Sequence, residues 1–552
     1  MNKLYLLSLL FFLGVQSALA QNTVGLLSYN PSQTYDGYNL LYPHNQPNVY
    51  LLDNCGEIVH VWTDEADFRP GNTAYLLENG NLVKAKRPAA VAGDAIWAGG
   101  GGAIIEIRSW ENELLWSYEL NNDTARLHHD FAITDEGTLL LLAWELKTEE
   151  EAIQAGRNPE LLVDGELWPD YIFEIDPNTD EILWEWHTWD HLIQDFDDSK
   201  DNYGVVEDHP ERVDINFVFA DGVADWMHSN AMDYEPVSKQ IILSVPTFSE
   251  VWIIDHTTTT EEAAGSFGGL GNRGGDLMYR WGNPQAYRAG DESDQTLFYQ
   301  HDIHWIDDFL NPAHPDYGKL AVFNNRRPGE ISSAHVIEPV FDMYEWVYPM
   351  QDGKWTPAGY DKTFDHPDPS SIYSTGLSSV QLLPNENVLI CSGRHGYSFE
   401  MNPDGEIVWE YTTPLIGGSP ATQGDSLELN QNLTFRIKRY PADYPAFEGK
   451  ELNSQGWLEL DPNTTFCQQI LPTSETRMEY DLEVFPNPAS GRLVIEWKAG
   501  VYADIHILDI HGRPVYHFNA SGGRRHIDVS AWVPGVYLIQ VDGQMSKRVV
   551  VR

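Results

Sequence analysis

The sequence predicts an all-β chain, a six-bladed β-propeller followed by a small β-sandwich. Three observations point there. A phrase of one apolar strand, an acidic or glycine turn and a second strand ending in tryptophan recurs at long intervals from about Asn48. A second hairpin with its own turn separates successive phrases, which makes four short strands per unit. The 3.6-residue spacing of amphipathic helices is almost absent. Four-stranded units arranged in a ring leave no long exposed sheet edge, so six of them read as six blades.

The tryptophan phrase runs Val49–Asp53 with Gly56–Trp62, Ile104–Arg108 with Glu113–Trp116, and Tyr171–Asp176 with Glu181–Trp184. Later copies are Val251–Asp255 with Leu277–Trp281, His335–Glu338 with Tyr344–Trp346, and Tyr397–Met401 with Asp404–Trp409. The intervening hairpins span 75–83, 131–142, 231–244, 303–323 and 380–390. The six closing tryptophans are expected to pack between blades. Stretches 147–169 and 187–224 are polar and acidic and read as long loops over one face. Stretch 257–276 is glycine-rich without a strand–helix context for a nucleotide, and a flexible hairpin loop is expected there.

The ends of the chain carry other signals. Lys3, the apolar run Leu4–Val15 and the small residues Ala18 and Ala20 make 1–20 a secretory signal peptide. The propeller is expected over 21–471, a linker over 472–481 and a separate β-domain over 482–552. No segment after the signal is long and apolar enough to cross a membrane as a helix. The net charge of −49 argues against nucleic acid as a partner and demands a locally positive pocket for any anionic ligand. Residues 482–552 depart from that balance, with eight Lys or Arg against six Asp or Glu. Three cysteines are too few for a disulfide scaffold, but export permits Cys55 and Cys467 to staple the ring shut. Acidic loops permit a structural calcium; no ligand spacing demands one.

In the tail, Phe485-Pro486-Asn487-Pro488, the core Gly535–Ile539 and the basic, β-branched end Arg548–Arg552 follow in order. They resemble the C-terminal sorting domain of the type IX secretion system. The resemblance implies contact with that machinery and export through periplasm and outer membrane, to the cell surface or the medium.

Three units open on a histidine: His129 before Asp130, His228 before Ser229 and Asn230, and His301 before Asp302. Equivalent positions of a ring face its axis, so the three imidazoles are expected to converge. A repeated histidine can also serve blade packing, although only three of six units carry it. His304, three residues after His301 on a strand, is expected to face the other way. Arg326 and Arg327, Arg394 and His395, and Arg436 and Arg439 are the candidate cations for an anion on the axis.

With Asp225–Ala231, Gln300–Asp302, Asp404–Trp409 and Phe435–Pro441 in this order, the chain resembles the bacterial arylsulfotransferase family from about Val49 to Leu460. The resemblance implies a six-bladed propeller that moves a sulfuryl group from an aryl sulfate to a phenol without a nucleotide donor or other cofactor. By motif, His301 matches the nucleophile, and His129 and His228 the histidines that hold the sulfuryl oxygens. Arg394, Arg326 and Asn230 are the expected substrate-binding residues. Where the family places an arginine, this chain has Pro246 or Thr247. That departure keeps a second reading open, a non-catalytic extracellular propeller that binds sulfated phenols or glycans.

Overall fold

The structure, a computed structural model, describes residues 22–217, 223–467, 483–509, 513–541 and 544–552. The expected signal peptide and linker lie outside them. The chain divides into two compact units, Met1–Ile470 and Leu471–Arg552.

Strands dominate the first unit, where six antiparallel sheets of four or five strands follow one another among the described residues. Their lead strands are Thr434–Pro441, Phe68–Leu76, Ala125–Ile133, Ala231–Glu235, His301–Trp305 and Ser379–Leu382. Each touches the next, and the last touches the first. The apolar faces of neighbouring sheets bury each other, as where Ile242 and Ile253 meet Ile303 and Val322.

Three stitches join the two ends of this unit. Gly37–Pro43 pairs with Thr434–Pro441, so the first sheet takes its lead strand from the far end of the sequence. Gly25–Tyr29 covers the open edge of the sixth sheet by pairing with Ile407–Thr412. Cys55 and Cys467 form a disulfide across 412 residues, the pairing that the cysteine count allowed.

The tryptophan phrase has a visible purpose. Trp62, Trp116, Trp184 and Trp281 sit on the outermost strands of their sheets and donate Nε1–H to Ser109 O, Asp180 Oδ1, Thr258 Oγ1 and Pro357 O. Trp409, on Ile407–Thr412, donates to Asn54 O across the seam. Each ring thus packs on the next sheet and ties to its turn. Trp346 breaks the series and corrects the sequence reading. The outer strand of the fifth sheet is Lys362–Phe364, and Trp346 lies in an inserted loop with φ 55°.

The glycine-rich stretch joins Glu250–Asp255 to the antiparallel Tyr279–Trp281, as a hairpin loop. Within it Thr259 caps a single helical turn, Thr260–Ala263, while the Asp255 carboxylate accepts from Thr257 N and Gly271 N. The two acidic insertions fold against each other, where Arg157 bonds the Ile215 carbonyl and Asn158 N donates to Asn216 Oδ1; within the second, Leu192–Ile193 runs parallel to Val213–Asp214.

In the second unit, Arg492–Leu508 is the central strand. It pairs with Pro514–Asp528 on one side, and with Glu483–Phe485 and Gly535–Val541 on the other. Leu493, Ile495, Ile505, Ile507, Ile527 and Ile539 bury a core of their own.

Candidate active site

The site is built on irregularities of the lead strands. In the third sheet Phe131 faces Leu141 while Leu127 faces Ala143, so the stretch 128–130 bulges. In the fifth, His301 faces Phe323 and His304 faces Ala321. His129, His228, Tyr299 and Asp302 hold φ of 48°, 55°, 57° and 59°. Left-handed backbone at such residues costs roughly 1–3 kcal/mol each and persists where the fold over-determines it.

These two bulges, with the segment just ahead of Ala231–Glu235 that carries His228, bring the three histidines together. The His129 and His228 rings are 4.6 Å apart, edge to face. Phe435, from the closing strand, lies 6.3 Å from His129 and 6.2 Å from His301. Tyr299 lies 6.1 Å from His228 and 6.2 Å from His301. His129 and His301 are buried.

Their surroundings separate their charges. Burial first, then the charge of His228 and Arg326, pulls the His301 imidazole down to about 3, although its bond to Asn325 works the other way. Burial and the neighbouring His228 push His129 well below the ordinary histidine value. Burial also pulls on His228, but the Asp225 carboxylate, hydrogen-bonded to its Nδ1, more than offsets it, and its pKa is raised. At neutral pH His301 and His129 are bare bases, and His228 is the ring inclined to hold a proton.

Each nitrogen of His301 has a partner. Nδ1 lies 2.8 Å from Asn325 Oδ1, and Nε2 accepts from the Leu377 backbone N–H at 3.0 Å. Two glycine segments cover the rings. A Cβ on Gly100, whose φ is 84°, would sit 1.9 Å from His129 Nε2. A Cβ on Gly376 would sit 3.5 Å from Arg394 Nη2 and 3.7 Å from His301 Cε1, so that guanidinium and imidazole flank one glycine.

The candidate cations divide sharply. Arg327 pairs with Asp365, and Arg439 pairs with Glu400 in the interior. Arg436 lies between Asp130 at 3.0 Å and Asp302 at 2.6 Å, neutralised by the residues that follow two of the histidines. Arg326 stacks its guanidinium over Tyr299 at 3.6 Å and donates to Thr375 O. Arg394 donates to Asn430 Oδ1. Arg326 and Arg394 are thus the candidates placed beside the histidines. Asn230 is buried and uses its amide nitrogen on the Gln300 carbonyl, bracing the strand just ahead of His301. Thr247, near where an arginine was expected, bonds the Trp226 and Met227 carbonyls and holds the loop that carries His228.

A cavity of about 330 Å³ lies elsewhere along the lead strands, lined by Asp233, His304, Asp307, Asp308, Arg436 and Lys438 among others. His304 lines this cavity and His301 does not, but the strand alternation behind that expectation does not hold: the bulge sets His301 and His304 opposite Phe323 and Ala321, two apart on one strand and so on one face. Burial and Asp233 push Asp307 up to about 8.

Sequence reasoning missed Asn325, Asp225, the Leu377 amide and Gly99–Gly102. Four consecutive glycines were a usable signal, because close backbone approach to a side chain needs glycine. Asp225 stood within a quoted motif. Asn325 and the Leu377 amide had no local signal at all.

Fold and site together define an all-β protein with a largely enclosed histidine cluster of divided charge. The description Arylsulfotransferase (ASST) matches residues 27–415, and the chain belongs to that family. Residues 483–552 are a secretion-system C-terminal sorting domain of the type IX kind, which makes the protein a secreted or surface-bound one that engages that machinery. Among the described residues no helix is long and apolar enough to cross a membrane. No curated protein matches the sequence. A solved protein of unknown function from Bacteroides caccae is 10% identical, covering 73% of this chain and 98% of its own, with a TM-score of 0.37. A catalytically inactive virginiamycin B lyase from Staphylococcus aureus is 12% identical, covering 68% and 85%, with a TM-score of 0.30. Likenesses this weak carry no argument about function.

Proposed function

We propose that the protein transfers a sulfuryl group from an aryl sulfate to a phenolic acceptor by way of His301, inside a six-bladed propeller. The cyclic contacts of six lead strands support the blade count, with the propeller over 21–471, a linker over 472–481 and a sandwich-like sorting domain over 482–552. The observation that carries the chemistry is the divided charge of three clustered imidazoles: two, buried, are held neutral and one, half-buried, is held toward its cation.

In the first half-reaction the His301 Nε2 lone pair attacks sulfur. An N–S bond forms, the S–O bond to the aryl oxygen breaks, and the leaving phenolate takes a proton from His228. In the second, the acceptor phenol gives its proton to His228 as its oxygen attacks sulfur and the N–S bond breaks. Arg394 and Arg326 supply the positive charge for the sulfuryl oxygens, and His129 adds a polar ring beside them. The sequence calls on no cofactor. Nε2 becomes available once the turn holding Leu377 withdraws its N–H.

A second reading is favoured by that same cap and by Thr247, which braces backbone where the family places an arginine: a module that binds sulfated phenols or glycans without turnover. Purified protein given 4-nitrophenyl sulfate, with and without phenol, separates the two. Phenol-dependent release of nitrophenol supports the transferase; sulfate ester binding without release supports the module.

A further inference from the structure

We propose that Asn325 is a positioning residue that, with the Leu377 amide, fixes His301 as the Nδ1–H tautomer and so selects Nε2 as the reacting atom. The inference rests on the transferase reading for its use, but its geometry stands alone.

Asn325 is buried on Leu320–Arg327, two residues beyond the position that pairs with His301. Its Nδ2 donates to Ser374 O and Leu377 O, both at 2.9 Å. Both amide hydrogens are therefore committed, and Oδ1 must be the atom facing the imidazole. A carbonyl oxygen only accepts, so the proton of their 2.8 Å bond belongs to His301 Nδ1. On the other edge of the ring stands a backbone N–H, which only donates, so Nε2 must be bare. Two neighbours, one on the fifth sheet and one in the turn that leads into the sixth, thus require the same tautomer.

The surrounding turn is tied to this arrangement. Ser332 Oγ donates to Asn325 O, and Ser374 N donates to Ser332 Oγ. Ser374 Oγ reaches Gly376 O. Leu377 and Ser378 hold φ of 62° and 92°, unfavourable for residues with a Cβ. The turn therefore delivers the Leu377 amide to Nε2 against local preference.

A neutral partner at Nδ1 also suits a transferable group. Attack by Nε2 leaves an N-sulfurylated ring that carries the Nδ1 proton and a positive charge. Asparagine holds that proton without neutralising the ring, so the N–S bond stays easy to break. A carboxylate in its place would stabilise the cation and slow release. The other titratable or charged groups around His301 are His228, His129, Tyr299, Arg326 and Arg394, and the test leaves all of them unchanged.

The test uses the full chain with ¹⁵N-labelled histidine, His301 being assigned by its loss in His301→Asn. Long-range ¹H–¹⁵N spectra are expected to show Nδ1 protonated and Nε2 bare in the wild type near neutral pH. Asn325→Leu is expected to lose that preference. Asn325→Asp, nearly isosteric, is expected to raise the acid limb of the rate by about one pH unit or more, with kcat changing more than KM. A wild-type His301 protonated on Nε2 overturns the proposal, whether or not the protein turns over. So does an Asn325→Asp enzyme with the wild-type acid limb. A protein that shows the expected tautomer but no turnover overturns the transferase reading and leaves the assignment of Asn325 supported.

Discussion

His129 and His228 stand edge to face with ring centres 4.6 Å apart, yet one is pushed below and the other above the ordinary histidine pKa. Burial lowers both rings; Asp225, three residues ahead of His228, and to a lesser degree Asp170 raise His228, while the neighbouring histidines lower His129 further. Asp225 is the largest influence that favours a proton on His228.

Asp225→Asn is therefore expected to lower the His228 pKa. If His228 protonates the leaving phenolate, the basic limb of the rate moves to lower pH, because the acid form is lost earlier. A pH–rate profile with an unmoved basic limb assigns the proton to another group.

Stability has the opposite dependence for His301. Its folded pKa is about 3, and unfolding restores the ordinary value near 6.5. Between those values the unfolded chain binds a proton that the folded one does not, so stability falls as pH drops from about 6.5 toward 3, by up to about 1.4 kcal/mol per pH unit. His228, with a raised pKa, contributes stability that is present below about 6.5 and lost as pH rises through its folded value. Denaturant midpoints measured across that range are expected to decline less steeply toward acid in His301→Asn than in the wild type.

Gly100→Ala places a methyl 1.9 Å from His129 Nε2 at a backbone φ of 84°. The ring or the loop must move, and transfer is expected to fall by about 10² or more, the scale for a displaced group in an aligned site. Activity close to wild type shows that the loop does not define the site.

Removing the Cys55–Cys467 disulfide by a Cys55→Ser, Cys467→Ser double substitution is expected to cost on the order of 3–5 kcal/mol. The bond packs among Leu26, Trp409 and Tyr411 rather than among the site residues and spans 412 residues of sequence, so kcat at 25 °C is expected to hold. Thermal melts and steady-state rates on the same preparations check both halves.

Much of this was legible in the sequence because it is periodic. A histidine at one repeat position reaches one place, and Trp62, Trp116, Trp184, Trp281 and Trp409 each meet the next sheet. Trp346 misled because an inserted loop carries a similar phrase, and only hydrogen bonding shows that Lys362–Phe364 is the strand. The charge state of Arg436 was hidden because its partners, Asp130 and Asp302, lie 306 and 134 residues away in other sheets. The Leu377 amide was out of reach because every non-proline residue carries an N–H and only the fold aims one.

The central claim is that His301 carries the sulfuryl group. Quenching the protein rapidly after mixing with 4-nitrophenyl sulfate, then mapping the adduct by peptide mass spectrometry, tests it most directly. A sulfuryl group on the His301 peptide, absent in His301→Asn and discharged by phenol, is the expected result. An adduct on another residue, or full transfer activity in His301→Asn, would contradict the account.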